Sequence, residues 1–179
     1  MNIKLSLTNL NENLTEGQYD LAIRVTNKLP DSNLRMVKLM QFERRICASP
    51  AYLKNHPMPK NPADLKNHLC VSIMNQSLNT VKPSWLLYEG KNLVNYPLEK
   101  YIEVDSYALQ KQLAESGTCV ARLPSYYINK ELQSGKLVEL FPHIKKPAVY
   151  AYLLYPDTIL VPHKTRVFID MLKQYFHNL

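Results

Sequence analysis

An α/β protein of two lobes is predicted by three features of this sequence. Strand-patterned and helix-patterned segments alternate over residues 3–48 and again from residue 100 onward. Two apolar strand segments, near 70–74 and 149–154, would carry the chain between the lobes and back. The final segment, KTRVFIDMLKQYFHNL, places Phe168, Met171, Leu172, Tyr175, Phe176 and Leu179 at i, i+3, i+4 spacing with charges opposite, as an amphipathic helix requires. A chain that crosses twice between two lobes makes a cleft.

Alternation in IKLSL predicts a first strand, and TNLNENLTEG a short helix stopping at Gly17. YDLAIRV follows as a buried strand, so the first unit reads strand, helix, strand, the pattern of a parallel pair with a crossover helix. NLRMVKLM and ERRICAS read as two further strands. In SPAYL, Ser49 can cap a helix whose first position is Pro50. NPADL repeats the device with Asn61 and Pro62, and Asp64 puts negative charge in the first turn.

LCVSIM is strand-like, WLLYEGKNLVNY is a hairpin turning at Glu89-Gly90, and YIEV is another strand. DSYALQKQLAESG is a helix capped by Asp105, with Ala108, Leu109 and Leu113 inward and Gly117 as its stop. Strand TCVARL, helix PSYYINKELQSG, strand KLVEL and the apolar run AVYAYLLY complete the order.

Composition excludes several classes. At 179 residues and 46% apolar content the chain can bury a core, and with 21% charged residues it does not read as disordered. No apolar run approaches the ~18 residues of a membrane span, and the polar start is not a signal-peptide core, so the expected compartment is the cytoplasm. The net charge of +7 raises the question of nucleic acid, but the basic residues are interleaved with acids. KNHPMPKNPADLKNH, the densest basic stretch, has the Pro/Asn spacing of a loop rather than a groove-reading helix.

Chemistry-bearing motifs are scarce. Cys47, Cys70 and Cys119 are unclustered, which fits reduced thiols, and His68 with Cys70 alone makes a poor metal site. No paired carboxylates, glycine-rich phosphate loop or GxSxG elbow is present, so no catalytic residue, metal or cofactor is expected. One stretch keeps an enzyme in play: in ICASPAYLKNHP, Cys47 precedes a helix start and His56 follows, as in a nucleophile on a turn or simply a packed strand residue.

Taken in order, LTEGQYDLAIRV, ICASPAYLKNHPMPKNPADLKNHLCV, Trp85, VDSYALQKQLAESGTCVARLPSYYINKELQSGKLVEL and RVFIDML resemble the effector-binding domain of LysR-type transcriptional regulators, over residues 3 to 175. The resemblance implies two Rossmann-like lobes joined by two crossover strands, similar to type 2 periplasmic-binding proteins. Lobe I would comprise 1–69 plus 155–179 and be incomplete, and lobe II 70–154. It implies a small-molecule effector in the cleft, assembly as a homodimer or homotetramer, and control of DNA through a separate helix-turn-helix module. That module, and the family's first strand and helix of lobe I, have no counterpart here, so DNA contact by this chain itself is not expected. Cys47 then falls where the family has a small or apolar strand residue, which favours packing. The alternative, a solute-binding protein of a transport system, shares the two-lobe logic.

Open α/β sheets place ligands at the carboxyl ends of their strands. In lobe I that selects Thr8 and Asn9, then Arg24, Val25 and Thr26. In lobe II it selects Asn75 and Gln76, Asp105 and Ser106 at one helix start, and Pro124 and Ser125 at another. Helix starts offer free N–H groups, which suit an anionic effector group. Capping competes as a role for Thr8, Asp105 and Ser106, and pairing with a neighbouring acid for Arg24.

Overall fold

The computed structural model describes residues 2–8, 14, 19–26, 34–74, 82–157 and 161–177. They fall into two units, Met1–Phe42 with Ala148–Leu179, and Glu43–Pro147.

In the first unit, β1 (Ala22–Thr26) pairs antiparallel with β9 (Ala148–Pro156), Arg24 facing Tyr152. The amino-terminal part of β2 (Leu34–Ala48) lies beside β9 in strand order. Phe42, Val149 and Ala151 form its small core with Leu39 and Met40. Helix α4 (His163–His177) buries Thr165 and Ile169, while Met171 and Tyr175, expected inward, are exposed. Leu179 lies outside the described residues.

Three expectations change here. Residues 2–8 form no strand, and Ile3, Leu5 and Leu7 are exposed. Alternation sorts side chains onto two faces, but a strand also needs a ladder partner. The parallel pair is replaced by antiparallel β1–β9. NLRMVKLM and ERRICAS are one continuous strand, β2, because Gln41 and Phe42 between them alternate exposed and buried and include no turn residue. Most of the helix expected over TNLNENLTEG lies outside the described residues.

In the second unit, β2 continues between β7 (Val120–Pro124) and β8 (Val138–Leu140), antiparallel to both. Beyond β7 lie β3 (Leu69–Ile73) and then β6 (Lys100–Val104), which run parallel to one another, and β3 is also parallel to β7. A hairpin, β4 (Ser84–Glu89) and β5 (Asn92–Pro97), turns at Gly90 with φ +60°.

Period-2 alternation builds two cores on the two faces of this sheet. Ile46, Ala48, Cys70 and Val120 go to one, with Tyr52, Leu65, Trp85, Leu87 and Leu140. Their neighbours Cys47, Val71 and Ala121 go to the other, with Ala114, Leu123, Ile128 and Leu137. The first core is covered by the hairpin, by α1 (Pro50–Asn55) and by a 3-10 turn (Pro62–Asn67). The second is covered by α2 (Tyr107–Glu115) and α3 (Ser125–Gln133).

This packing explains why the units divide elsewhere than at the expected lobe boundaries. Ile46, Tyr52 and Leu65 share a core with Cys70 and Trp85, so residues 43–69 belong with the second unit rather than with lobe I. The chain changes unit inside β2 and again after Pro147; β3, expected as a crossover, lies wholly within the second unit.

The caps follow the sequence with two adjustments. Ser49 Oγ accepts from Tyr52 N at 3.3 Å, with Pro50 opening α1. At the 3-10 turn, the Asp64 carboxylate accepts from the backbone N–H groups of Lys60 (2.8 Å) and Asn61 (3.1 Å), so it serves as a cap rather than only a first-turn charge. Helix α2 is capped by Ser106, whose Oγ accepts from Ala108 N at 3.2 Å, and not by Asp105. Its buried face is Gln110 and Ala114, whereas Leu109 and Ala108 are exposed. Gly117, at φ +81°, ends it where an added Cβ would come within 3.2 Å of Ala51 Cβ, so the close approach to α1 and the left-handed backbone both require glycine.

Candidate functional site

The residues selected from sequence separate by unit. Thr8 and the β1 residues Arg24, Val25 and Thr26 belong to the first, with Val25 on an exposed strand position. Asp105, Ser106, Pro124 and Ser125 belong to the second. Because β6, β3 and β7 are parallel, the ends of β6 (Asp105, Ser106) and β7 (Pro124, Ser125) share one edge of that sheet. Asn9, Asn75 and Gln76 lie outside the described residues.

At this edge of the second unit is a cavity of about 230 Å³ lined by Arg44, Ile73, Trp85, Tyr107, Gln110 and Arg122. Ile73 ends β3 and Tyr107 begins α2, so the cavity stands at the carboxyl end of the parallel strands. The β2–β7 register puts Ile46 opposite Arg122 and Arg44 opposite Pro124. Arg44 and Arg122 are therefore diagonal neighbours on one face of the sheet.

The polar groups here are unusual. Among the described residues, the buried side-chain nitrogen and oxygen atoms without a hydrogen-bond partner are Arg44 Nε, Arg122 Nε and Gln110 Oε1, and all three residues line this cavity. Each such atom ordinarily costs about 1–3 kcal/mol if nothing pairs with it. Burial, and next the charge of Arg44, pull the Arg122 guanidinium down to about 10. It remains charged at neutral pH, so the pocket holds two cations, and no acidic side chain lines it.

A second cavity, of about 700 Å³, lies in the first unit, lined by residues including Leu5, Tyr19, Asp20, Lys164 and Phe168. It is walled by the segment at 2–6 that forms no strand, and no unpartnered buried side-chain atom among the described residues faces it.

Of the residues selected from strand ends, Asp105, Ser106, Pro124 and Ser125 lie on the edge where this cavity stands, and the residues that line it, Arg44, Ile73, Trp85, Tyr107, Gln110 and Arg122, are not among those selected. The available signal was an arginine inside the apolar strand VARL, since an unpaired charge is costly in a core.

The thiols offer no nucleophile. Cys47, Cys70 and Cys119 are fully buried, and burial pushes each up to about 12. Cys47 sits in a core with Val71 and Ala121, facing Ala121 in the β2–β7 ladder. His56 is occupied elsewhere, stacked on Tyr52 with ring centroids 4.1 Å apart. Tyr52 Oη in turn lies 3.1 Å from His68 Nδ1. Among the described residues no group of three or more His, Cys, Asp or Glu side chains could hold a metal. No described helix is long and apolar enough to cross a membrane.

The second unit is thus an α/β fold with a cavity at a strand-end edge, and comparison with known proteins gives the family. The model for the LysR substrate binding domain matches residues 1–177, and the chain belongs to that family. The HTH-type transcriptional regulator CrgA of Neisseria meningitidis is 28% identical over 168 residues, 93% of this chain and 54% of that protein. An uncharacterized HTH-type transcriptional regulator of Haemophilus influenzae is 27% identical over 84% of this chain and 51% of its own length. The chain spans about half the length of the curated relatives it matches. The CrgA regulatory domain superposes with a TM-score of 0.76 at 27% identity, covering 92% of this chain and 78% of that one. Full-length AphB of Vibrio cholerae, a virulence activator, shares the fold at a TM-score of 0.80 and 23% identity, with 97% of this chain and 57% of that one covered.

Proposed function

We propose that this chain is the effector-sensing part of a LysR-type transcriptional regulator. It binds a small molecule, performs no chemistry on it, and passes the bound state to a separate helix-turn-helix module within a cytoplasmic homo-oligomer. The observation that carries this reading is the cavity at the strand-end edge of the second unit, lined by Arg44, Gln110 and Arg122, each of which has a buried side-chain atom with no hydrogen-bond partner. The relatives support it: they are transcriptional regulators, and nothing among them favours a transport solute-binding protein. Asp105, Ser106, Pro124 and Ser125, on the same sheet edge, are proposed contacts for parts of the effector that extend beyond the cavity. Thr8, Asn9, Arg24, Val25, Thr26, Asn75 and Gln76 remain proposed contacts on sequence grounds.

Thermal-shift screening of carboxylates, amino acids and aromatic acids tests the binding half. A ligand at about 100 times its dissociation constant adds about 2.7 kcal/mol of apparent stability. In a full-length regulator carrying this domain, the same compound is expected to change promoter occupancy or DNA bending. A saturating ligand that changes neither would overturn the sensing role.

A further inference from the structure

We infer that residues 2–8 become a β-strand between two copies of this chain, pairing antiparallel with the same segment of a second copy about Leu5. This rests on the reading of the chain as a homo-oligomer and names a surface through which its copies meet.

The segment has the sequence of a strand without the partners of one. Apolar and polar side chains alternate in Ile3-Lys4-Leu5-Ser6-Leu7, yet these residues form no strand, whereas each of β1 to β9 has a ladder. Among the described residues, no ladder or turn hydrogen bond involves the backbone of residues 2–7. All of residues 2–8 are exposed, Ile3, Leu5 and Leu7 included. Unladdered backbone carrying exposed apolar side chains is what an added strand pairs with. The edge strand β6 is guarded against such pairing by exposed Lys100 and Glu103, while residues 2–8 hold one charge, Lys4.

Register selects the second copy as the occupant. Identical strands related by a two-fold axis pair antiparallel. With Leu5 facing Leu5 of the second copy, Ile3 faces Leu7 and Lys4 faces Ser6, so every apolar side chain meets another and the two lysines stay apart. Centring on Lys4 would set lysine against lysine, and centring on Ser6 would leave Ile3 without an apolar partner. A centre between two residues would set apolar against polar throughout. A two-stranded ribbon alone is marginal in water. Here a cavity of about 700 Å³, lined by residues 2–6 together with Leu21 and Phe168, gives the added strand an apolar wall.

Sedimentation velocity of the full chain across a concentration series is the test, with engineered cysteines reporting register. The unaltered chain should dimerise. Leu5→Pro, which removes the central N–H, and Leu5→Lys, which sets like charges face to face, should each weaken dimerisation by about tenfold or more. Leu5 is exposed and outside every ladder, so at dilutions that keep the chain monomeric both variants should melt with the parent. Under mild oxidation Leu5→Cys should give a disulfide dimer, and so should Ile3→Cys mixed with Leu7→Cys, while Ile3→Cys alone should link about tenfold more slowly or less. The three native cysteines are buried and stay out of this reaction. Equal linking rates for Leu5→Cys and Ile3→Cys alone would overturn the register and the inference with it. Dimers that Leu5→Pro and Leu5→Lys both leave intact would overturn this surface and leave the homo-oligomer standing. A chain that stays monomeric would overturn both, and effector binding is read apart from either, by thermal shift.

Discussion

The two units take the same α/β vocabulary to different ends. In the second, the central strands β2, β3 and β7 have a neighbour on each side and a core on each face, and their core side chains are excluded from water. In the first, Leu7 is 91% exposed and Ile23 and Val25 of β1 are each nearly half exposed, despite a pattern equally regular in sequence. Alternation states which face a residue prefers; burial depends on whether another layer covers that face.

Substitutions can test how deep that contrast runs. The largest effect is expected at Ile46, fully buried between Leu140 and Arg122 in the ladder: Ile46→Ala should cost about 4 kcal/mol in urea unfolding. Leu5→Ala in the first unit should change the same midpoint by less than about 0.5 kcal/mol. Equal losses would erase the distinction between the units.

Next in size is Lys146, buried in the second unit, where Nζ donates to Glu139 Oε1 at 2.7 Å and to the Phe141 carbonyl at 2.8 Å. Phe141 has φ 55°, a left-handed conformation unusual for a side chain of this bulk. Lys146→Met should cost about 2 kcal/mol, because two hydrogen bonds from a charged donor are lost, although the Phe141 carbonyl keeps the Ile144 N–H at 3.0 Å and Glu139 keeps Arg45 at 3.4 Å. Thermal melts that leave Lys146→Met as stable as the parent would show that the clamp contributes nothing.

Smaller again is the cap. Ser49→Ala should cost about 1 kcal/mol in the same melts, and Ser49→Asp should recover most of it.

A pH effect should also be confined to the second unit. Burial, and next the charge of His56, hold His68 below its ordinary 6.5. The unfolded chain therefore takes up the proton first, and stability should decline as pH falls through 6.5. His68→Gln should flatten that decline in melts between pH 7 and pH 5.5. A His68→Gln curve parallel to the parent's would assign the titration elsewhere.

Much of the second unit was legible because its signals are local. Ser49-Pro50, Glu89-Gly90 and Gly117 each act within a few residues, and the structure uses them as a helix start, a hairpin turn and a helix stop. What sequence could not supply was register. Arg44 and Arg122 become diagonal neighbours only because β2 and β7 pair with Ile46 opposite Arg122, and Gln110 is tied to the sheet by its bond to the Val71 carbonyl, 39 residues away in sequence. The strand-end rule therefore selects Ser106 and Pro124, which have local roles as cap and strand terminus, and has no access to the cavity lining that long-range pairing assembles. Likewise IKLSL carries a strand pattern, and only the structure shows that its own copy supplies no ladder for it.

The three cysteines, set aside as nucleophiles, give this protein a built-in clock. All lie in the second unit, Cys70 in the core on one face of the sheet and Cys47 and Cys119 in the core on the other. With thiols at about 12 and no exposure, none reacts until its layer opens. The rate at which an alkylating reagent consumes each one times the opening of its own face, with no label added. A ligand bound in the cavity of the second unit should slow both clocks, and comparing Cys70 with Cys119 would show whether the two layers part together or in turn.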